Sequence, residues 1–259
     1  MIESGPVVFD AQGYAGVWHL ENALSLPDGS NAGNQASAQN MTSENTTTGN
    51  IGNALNFNGI DQNLTTTKQY DDPGAFSFSL WFKTDSAGGK LIAFEKDSLE
   101  YVFYNNDRLI YMDDSGHLHF GVFPPTPDSL SAEDSLLIGP PDSIGKSPGI
   151  RRIISSPERY DDGNWHQLVA TLSPFYGQSL YIDGKLISIN TAVKEAEHIS
   201  GFWKIGGGFM TGWNNWPSNS YFKGSLDEVQ ILHKAVSETW VRLSYENQKI
   251  GSSLISFKE

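Results

Sequence analysis

The sequence predicts an all-β fold, a sandwich of two antiparallel sheets with one short C-terminal helix. Three observations predict it. Strand-like runs recur with turn residues between them and never alternate with helices, so no βαβ unit is present. The run Phe76–Lys83 sets Phe76, Phe78, Leu80 and Phe82 on one face and Ser77, Ser79, Trp81 and Lys83 on the other, the two-residue period of a strand with a buried face. The composition is turn-rich, with 26 Gly, 12% aromatic residues and 18% charged residues, against the roughly 25% charged of an average globular domain. A chain of 259 residues buries roughly 70–75% of its unfolded surface and needs no disulfide or metal to make a core. There is no Cys, which excludes a disulfide scaffold, a Cys-type zinc site and a thiol nucleophile.

In chain order, residues 14–21 read as the first strand, with Trp18 and Leu20 on one face. Residues 27–53 are polar, rich in Asn, Gly and Thr, and read as loop. Residues 54–58 form a short strand ended by Asn58-Gly59. After Phe76–Lys83, strands at 91–95, 99–104, 108–112 and 117–123 are spaced as an antiparallel meander, with Asp114-Ser115-Gly116 as a turn. Residues 124–149 break the rhythm with Pro124, Pro125, Pro127, Pro140, Pro141 and Pro148. They read as an insertion, either a surface loop or a functional one, without catalytic pattern. Strands return at 150–156 and 165–172. Asp183-Gly184, between Leu180–Ile182 and Lys185–Ile187, is the signature of a type I′ hairpin. Pairing Ile182 with Lys185 would place Leu180, Ile182, Ile187 and Ile189 on one face. Two further strands, 202–206 and 225–232, flank a Gly- and Trp-rich loop. Ser237 can cap a helix running to about Asn247, with Val236 and Val241 as a hydrophobic staple. No internal repeat or linker divides the chain, so residues 1–259 read as a single domain.

The formal net charge of −13 argues against nucleic acid, which needs a basic surface, and against an anionic membrane surface. It suits a neutral glycan or a cation. No apolar run is long enough to span a membrane. The N-terminus lacks the basic flank and apolar core of a signal peptide; the expectation is a module cut from a longer exported chain. Glycoside hydrolysis needs two carboxylates about 5–10 Å apart, and Asp227-Glu228, adjacent on a strand, would point to opposite faces. His117 and His119 share a strand face without a third zinc ligand, and His166 reads as a hydrogen-bonded structural residue. The loop 206–223 carries Trp213, Asn214, Asn215 and Trp216. Partly exposed, the two indoles would stack on sugar faces while the amides bond hydroxyls; the alternative is that they fold under the loop as a satellite cluster.

Eight segments, in order, resemble bacterial laminin-G-like, concanavalin A-like jelly-roll modules. Residues 16–21 (GVWHLE) are similar to their opening strand and residues 28–34 to their Asp/Asn/Gly loop. Residues 52–61 (GNALNFNGID) resemble G-x-A-L-x-F-D-G-x-D, with Asn58 where Asp is usual. Residues 78–83 (FSLWFK), 162–169 (DGNWHQLV), 180–186 (LYIDGKL) and 224–231 (GSLDEVQI) resemble further strands, and residues 237–249 the closing helix. The resemblance implies a concanavalin A-like two-sheet antiparallel jelly-roll sandwich. It also implies a module of a secreted or cell-surface bacterial protein, extracellular and joined to other modules. It is compatible with noncatalytic glycan binding, or with an architectural spacer, and less so with a glycoside-active enzyme. It further implies one structural calcium held by Asp28 and Asp227, with Glu21 and Asn31 as neighbouring ligands. The alternative is that Asp28 starts an Asx-turn and Asp227 bonds only backbone N–H groups.

Overall fold

The alternation in Phe76–Lys83 decides where the core lies. In the computed structural model, which describes residues 9–10, 13–96, 106–125 and 151–252, Phe76, Phe78, Leu80 and Phe82 are all fully buried. Their rings meet aromatic side chains from a facing sheet. Phe78 packs edge-to-face on Trp203 (5.1 Å, 80°) and on Phe120 (6.2 Å, 74°), and Phe94 lies 4.6 Å from Trp203. Such pairs add roughly 0.5–1.5 kcal/mol each beyond the burial of their area.

The strands are β1 (Tyr14–Trp18), β2 (Ala36–Gln39), β3 (Thr46–Thr48), β4 (Asn53–Asn58), β5 (Asn63–Thr66), β6 (Tyr70–Asp71), β7 (Phe76–Lys83) and β8 (Gly89–Glu95), then β9 (Asn106–Met112), β10 (His117–Val122), β11 (Arg152–Arg159), β12 (Trp165–Ser173), β13 (Gly177–Ile182), β14 (Lys185–Asn190), β15 (Ser200–Ile205) and β16 (Lys223–Leu232). Helix α1 (Glu238–Gln248) follows. Among the described residues they form two eight-stranded sheets. The first has the order β14-β13-β12-β7-β16-β4-β3, with β1 also paired to β16; the second has β11-β10-β9-β8-β15-β5-β2, with β6 paired to β15. All these strand pairs are antiparallel. The expected two-sheet sandwich is what the chain forms.

Helix α1 covers the outer face of the first sheet. Ser237 caps it through Trp240 N (3.2 Å), and Val236 and Val241 pack together with Val169, Tyr181 and Leu232. Trp81, on the outer side of β7 as its alternation requires, is buried because Tyr245 stacks over it (5.8 Å, 22°).

Several local expectations are corrected. The polar stretch 27–53 is not all loop: it holds β2, β3 and a 3₁₀ turn at Ser43–Asn45. These strands end their sheets, and an edge strand can form with little hydrophobic alternation. In the hairpin, Ile182 does pair with Lys185, but a bulge between Leu180 and Tyr181 sets Ser179 opposite Ile189. Ile189 therefore leaves the Leu180–Ile182 face and is 49% exposed. The pairing of β16 with β7 shifts between Asp227 and Gln230, with Glu228 at φ 49°, so strict alternation fails at Asp227-Glu228. The strand expected at 99–104 and all but the first two residues of the insertion 124–149 lie outside the described residues.

Candidate functional site

The outer face of the second sheet carries an apolar patch of Ala93, Leu109, Tyr111 and Phe123, and the β15–β16 connection lays Met210 and Trp213 on it. Gly121 makes the close approach possible, since a Cβ there would stand 2.5 Å from the Trp213 ring. Trp213 meets Phe123 edge-on at 5.8 Å and is only 5% exposed. The expectation that Trp213 faces solvent is thus corrected: the sheet needs a cover and this indole supplies it. Trp216 is 44% exposed, and Asn214 and Asn215 are exposed beside it. The loop is pinned from several sides. Phe209 O accepts from Lys90 Nζ (3.3 Å) and Asn106 Nδ2 (3.2 Å), and Asn214 O accepts from the Tyr111 hydroxyl. Ser218 N and Oγ donate to Asp114 (3.0 and 3.1 Å), and Asn219 Nδ2 to Gly59 O (2.6 Å). The result is one indole with two side-chain amides on an anchored loop.

Of the four residues implied as calcium ligands, Asp28 and Asn31 share the 28–34 loop, while Glu21 and Asp227 both accept from the turn at 50–53. Asp28 Oδ1 accepts from Val17 N (3.0 Å), Ser30 N (2.8 Å) and Ser30 Oγ (2.7 Å), and Oδ2 from Asn34 N (2.9 Å). That is the Asx-turn alternative, with both oxygens committed. Glu21 Oε2 accepts from Asn53 N (3.3 Å), and Asn31 N donates to Phe9 O (3.3 Å). Asp227 Oδ2 accepts from Asn50 N and Ile51 N, both at 2.9 Å, while Oδ1 is buried without a partner. Burial pushes the Asp227 carboxyl up to about 7, Glu228 adding to it and the backbone amides opposing. Calcium needs roughly six to eight converging oxygens, and among the described residues no group of three or more His, Asp or Glu side chains is placed to hold a metal.

The histidines are tied into the scaffold. His119 bonds Asp113 (2.9 Å) and Ser155 (2.7 Å), with burial lowering its pKa, and His117 lies 3.7 Å from the same Asp113. His166 sits between Asp183 (2.7 Å) and Asp162 (3.1 Å). Glu228 pairs with His19 (2.8 Å), and buried Glu95 is held by Lys90 and by Lys204 (3.4 Å).

A second concavity, absent from the sequence reading, opens on the outer face of the first sheet beside the end of α1. It encloses about 390 Å³ and is lined by Asn50, Trp81, Lys83, Gly163, Asn164, Trp165, Tyr245, Lys249 and Ile250. Trp81 and Trp165 sit on the polar side of their strands, the one local signal that something covers or uses that face.

The concanavalin A-like lectin/glucanases superfamily, as a sequence model, matches residues 57–242. No curated protein matches the chain in sequence. Among solved structures, the chain is similar to the binding domain of botulinum neurotoxin serotype D/C (TM-score 0.60, 13% identity, 93% of this chain and 53% of that one). It is also similar to a botulinum neurotoxin type C structure whose description makes cell entry dependent upon interaction with two ganglioside molecules (0.59, 15%, 92% and 52%). A third is domain 4 of AbnA, a GH43 extracellular arabinanase from Geobacillus stearothermophilus, in complex with arabinotriose (0.51, 14%, 89% and 98%). The chain spans about half the length of the toxin structures and nearly all of the arabinanase domain. At these identities the likeness is one of fold.

Proposed function

The chain belongs to the concanavalin A-like lectin/glucanases superfamily, and from that premise we propose that it is a noncatalytic carbohydrate-binding module of an exported protein. The observation that carries this reading is the anchored loop presenting Trp216 to solvent, with Asn214 and Asn215 alongside. An indole face receives the C–H side of a sugar ring, the amides bond its hydroxyls, and the anchored loop lowers the ordering entropy of binding. The complex of the arabinanase domain with arabinotriose supports a saccharide as the ligand class, because that likeness spans a whole domain. The ganglioside dependence described for the toxin supports it less, since only half of that chain is matched. The ligand expected at this loop is neutral and polar, and the setting extracellular, in a chain with further modules. Burial of Trp213 favours a second reading, an architectural spacer in which the loop only seals the sheet.

Titration of intrinsic Trp fluorescence against neutral polysaccharides, arabinan included, separates the two. Saturable binding with a roughly micromolar to millimolar Kd is expected of a shallow site, lost in Trp216→Ala. No binding across the panel, or binding that Trp216→Ala leaves intact, would leave the spacer.

A further inference from the structure

The cleft on the first sheet differs in chemistry from the Trp216 loop. Its residues come from four separate segments of the chain, and its lining holds two lysines and no Asp or Glu, in a chain of net charge −13. Lys83 ends β7 and lies directly opposite Trp165 in the β7–β12 register; side chains so paired leave the sheet about 4.5–5.5 Å apart at Cβ. Lys83 is exposed and has no carboxylate partner among the described residues. Trp165 is half-buried, so part of its ring is open to the cleft.

The opposite wall is the end of α1. Tyr245 is fixed by its stack on Trp81, whose indole N–H donates to Gln248 Oε1 (2.7 Å). Lys249 Nζ lies 5.5 Å from the Tyr245 ring centroid and 2.6 Å from Glu246 Oε2. The last helical carbonyls, which would repel an anion, are taken: Tyr245 O by Lys249 N, Glu246 O by Ser252 Oγ and Gln248 O by Asn50 Nδ2. Asn164, exposed on the rim, donates from Nδ2 to Asp162 (2.9 Å), and its side-chain oxygen accepts from no donor among the described residues. The volume of about 390 Å³ falls within the roughly 300–1,000 Å³ of small-molecule sites.

We propose that this cleft is a second binding site, for an acidic saccharide whose carboxylate or sulfate is met by Lys83 and Lys249 and whose ring face lies on Trp165. A neutral sugar would leave the Lys83 ammonium unanswered, and a bare anion would leave the aromatic wall and the amide unused. Lys249 would meet the acidic group alongside Glu246, its partner at 2.6 Å, both side chains being partly exposed.

The test is isothermal titration of the full chain with three probes: trigalacturonate, a sulfated heparin-derived trisaccharide, and neutral maltotriose. Either acidic probe, or both, is expected to bind, and to bind more weakly when salt rises from about 50 to about 500 mM; which one binds names the acidic group. Lys83→Gln is expected to weaken it about tenfold, the effect of losing one charge-assisted contact, and Trp165→Ala to abolish it. Trp216→Ala, at the other site, should leave it unchanged, so failure here and failure at the Trp216 loop are read separately. Lys83→Gln, an exposed strand-end change, keeps the test valid if Trp165→Ala does not fold. Absence of binding by both acidic probes, equal binding of maltotriose at this cleft, or indifference to Lys83→Gln would overturn the proposal.

Discussion

Asp227 has one carboxylate oxygen that accepts two backbone N–H groups and another that is buried with no partner. Asn50 Oδ1 is likewise buried and partnerless, and Asn50 N is one of the donors to Asp227. A proton on Asp227 would reduce the cost of burying an unpartnered carboxylate oxygen, and burial pushes its pKa up from 3.8 to about 7. The fold therefore holds this proton more tightly than the unfolded chain does. The stability it contributes is fully present below pH 3.8 and is lost as pH rises through about 7. Asp227→Asn fixes the neutral form and keeps an acceptor for the Asn50 and Ile51 amides. Its stability relative to the parent is expected to increase between pH 4 and pH 8, measured by thermal melting at each pH. Calcium should leave the parent Tm unchanged. A calcium-dependent rise in Tm that disappears in Asp227→Asn would instead put a cation on the orphaned oxygens.

At the scale of elements, the readable parts were those whose signal is local. The four alternating apolar residues of β7, the Ser237 cap of α1 and the Asp-Gly turn each act within a few residues, and each sits where expected. The turn has Asp183 at φ 51° and Gly184 at φ 75°, as a type I′ hairpin demands. The edge strand β2 was not readable because it pairs with β5, distant in sequence; β3 and the bulge at Ile187 lie within their own hairpins, but β3 carries no apolar alternation and the apolar residues of β14 do not mark the bulge. The turn also reaches back to β12: Asp183 Oδ1 accepts from Gln167 N (2.9 Å) and Oδ2 meets His166 Nδ1 (2.7 Å). Burial lowers the His166 pKa, but Asp183 and Asp162 outweigh it, and the net shift is upward from 6.5. A raised histidine pKa stabilises the fold fully below the unfolded value, about 6.5, and that contribution fades as pH rises through the folded-state pKa. The parent should therefore lose more stability than His166→Gln between pH 6 and pH 8.5 in urea denaturation. Equal losses would mean that the histidine holds the hairpin only as a neutral hydrogen-bonding group.

At the scale of the whole molecule, each sheet has an inner face in the shared core and an outer face that needs its own cover. Helix α1 covers one, and the loop 206–222 covers part of the other. This division decides what Trp213 and Trp216 do. The two are three residues apart, with Asn on the side of each that faces the other, and no local pattern separates them; only the apolar patch around Gly121 makes one an anchor and leaves the other open. The acidic-saccharide cleft was hidden for the same reason, since Asn50, Lys83, Trp165 and Tyr245 meet only after the sheet has formed and the helix has docked. The two tryptophans should therefore fail differently. Trp213→Ala removes a buried ring from the second cluster and is expected to cost about 3–5 kcal/mol, read as a lower urea midpoint. Trp216→Ala changes a surface side chain and should stay within about 0.5 kcal/mol while losing neutral-glycan binding. Comparable small effects of both on the midpoint would mean that the loop is not the seal of the second sheet, and that the burial of Trp213 contributes little to the stability of the sandwich.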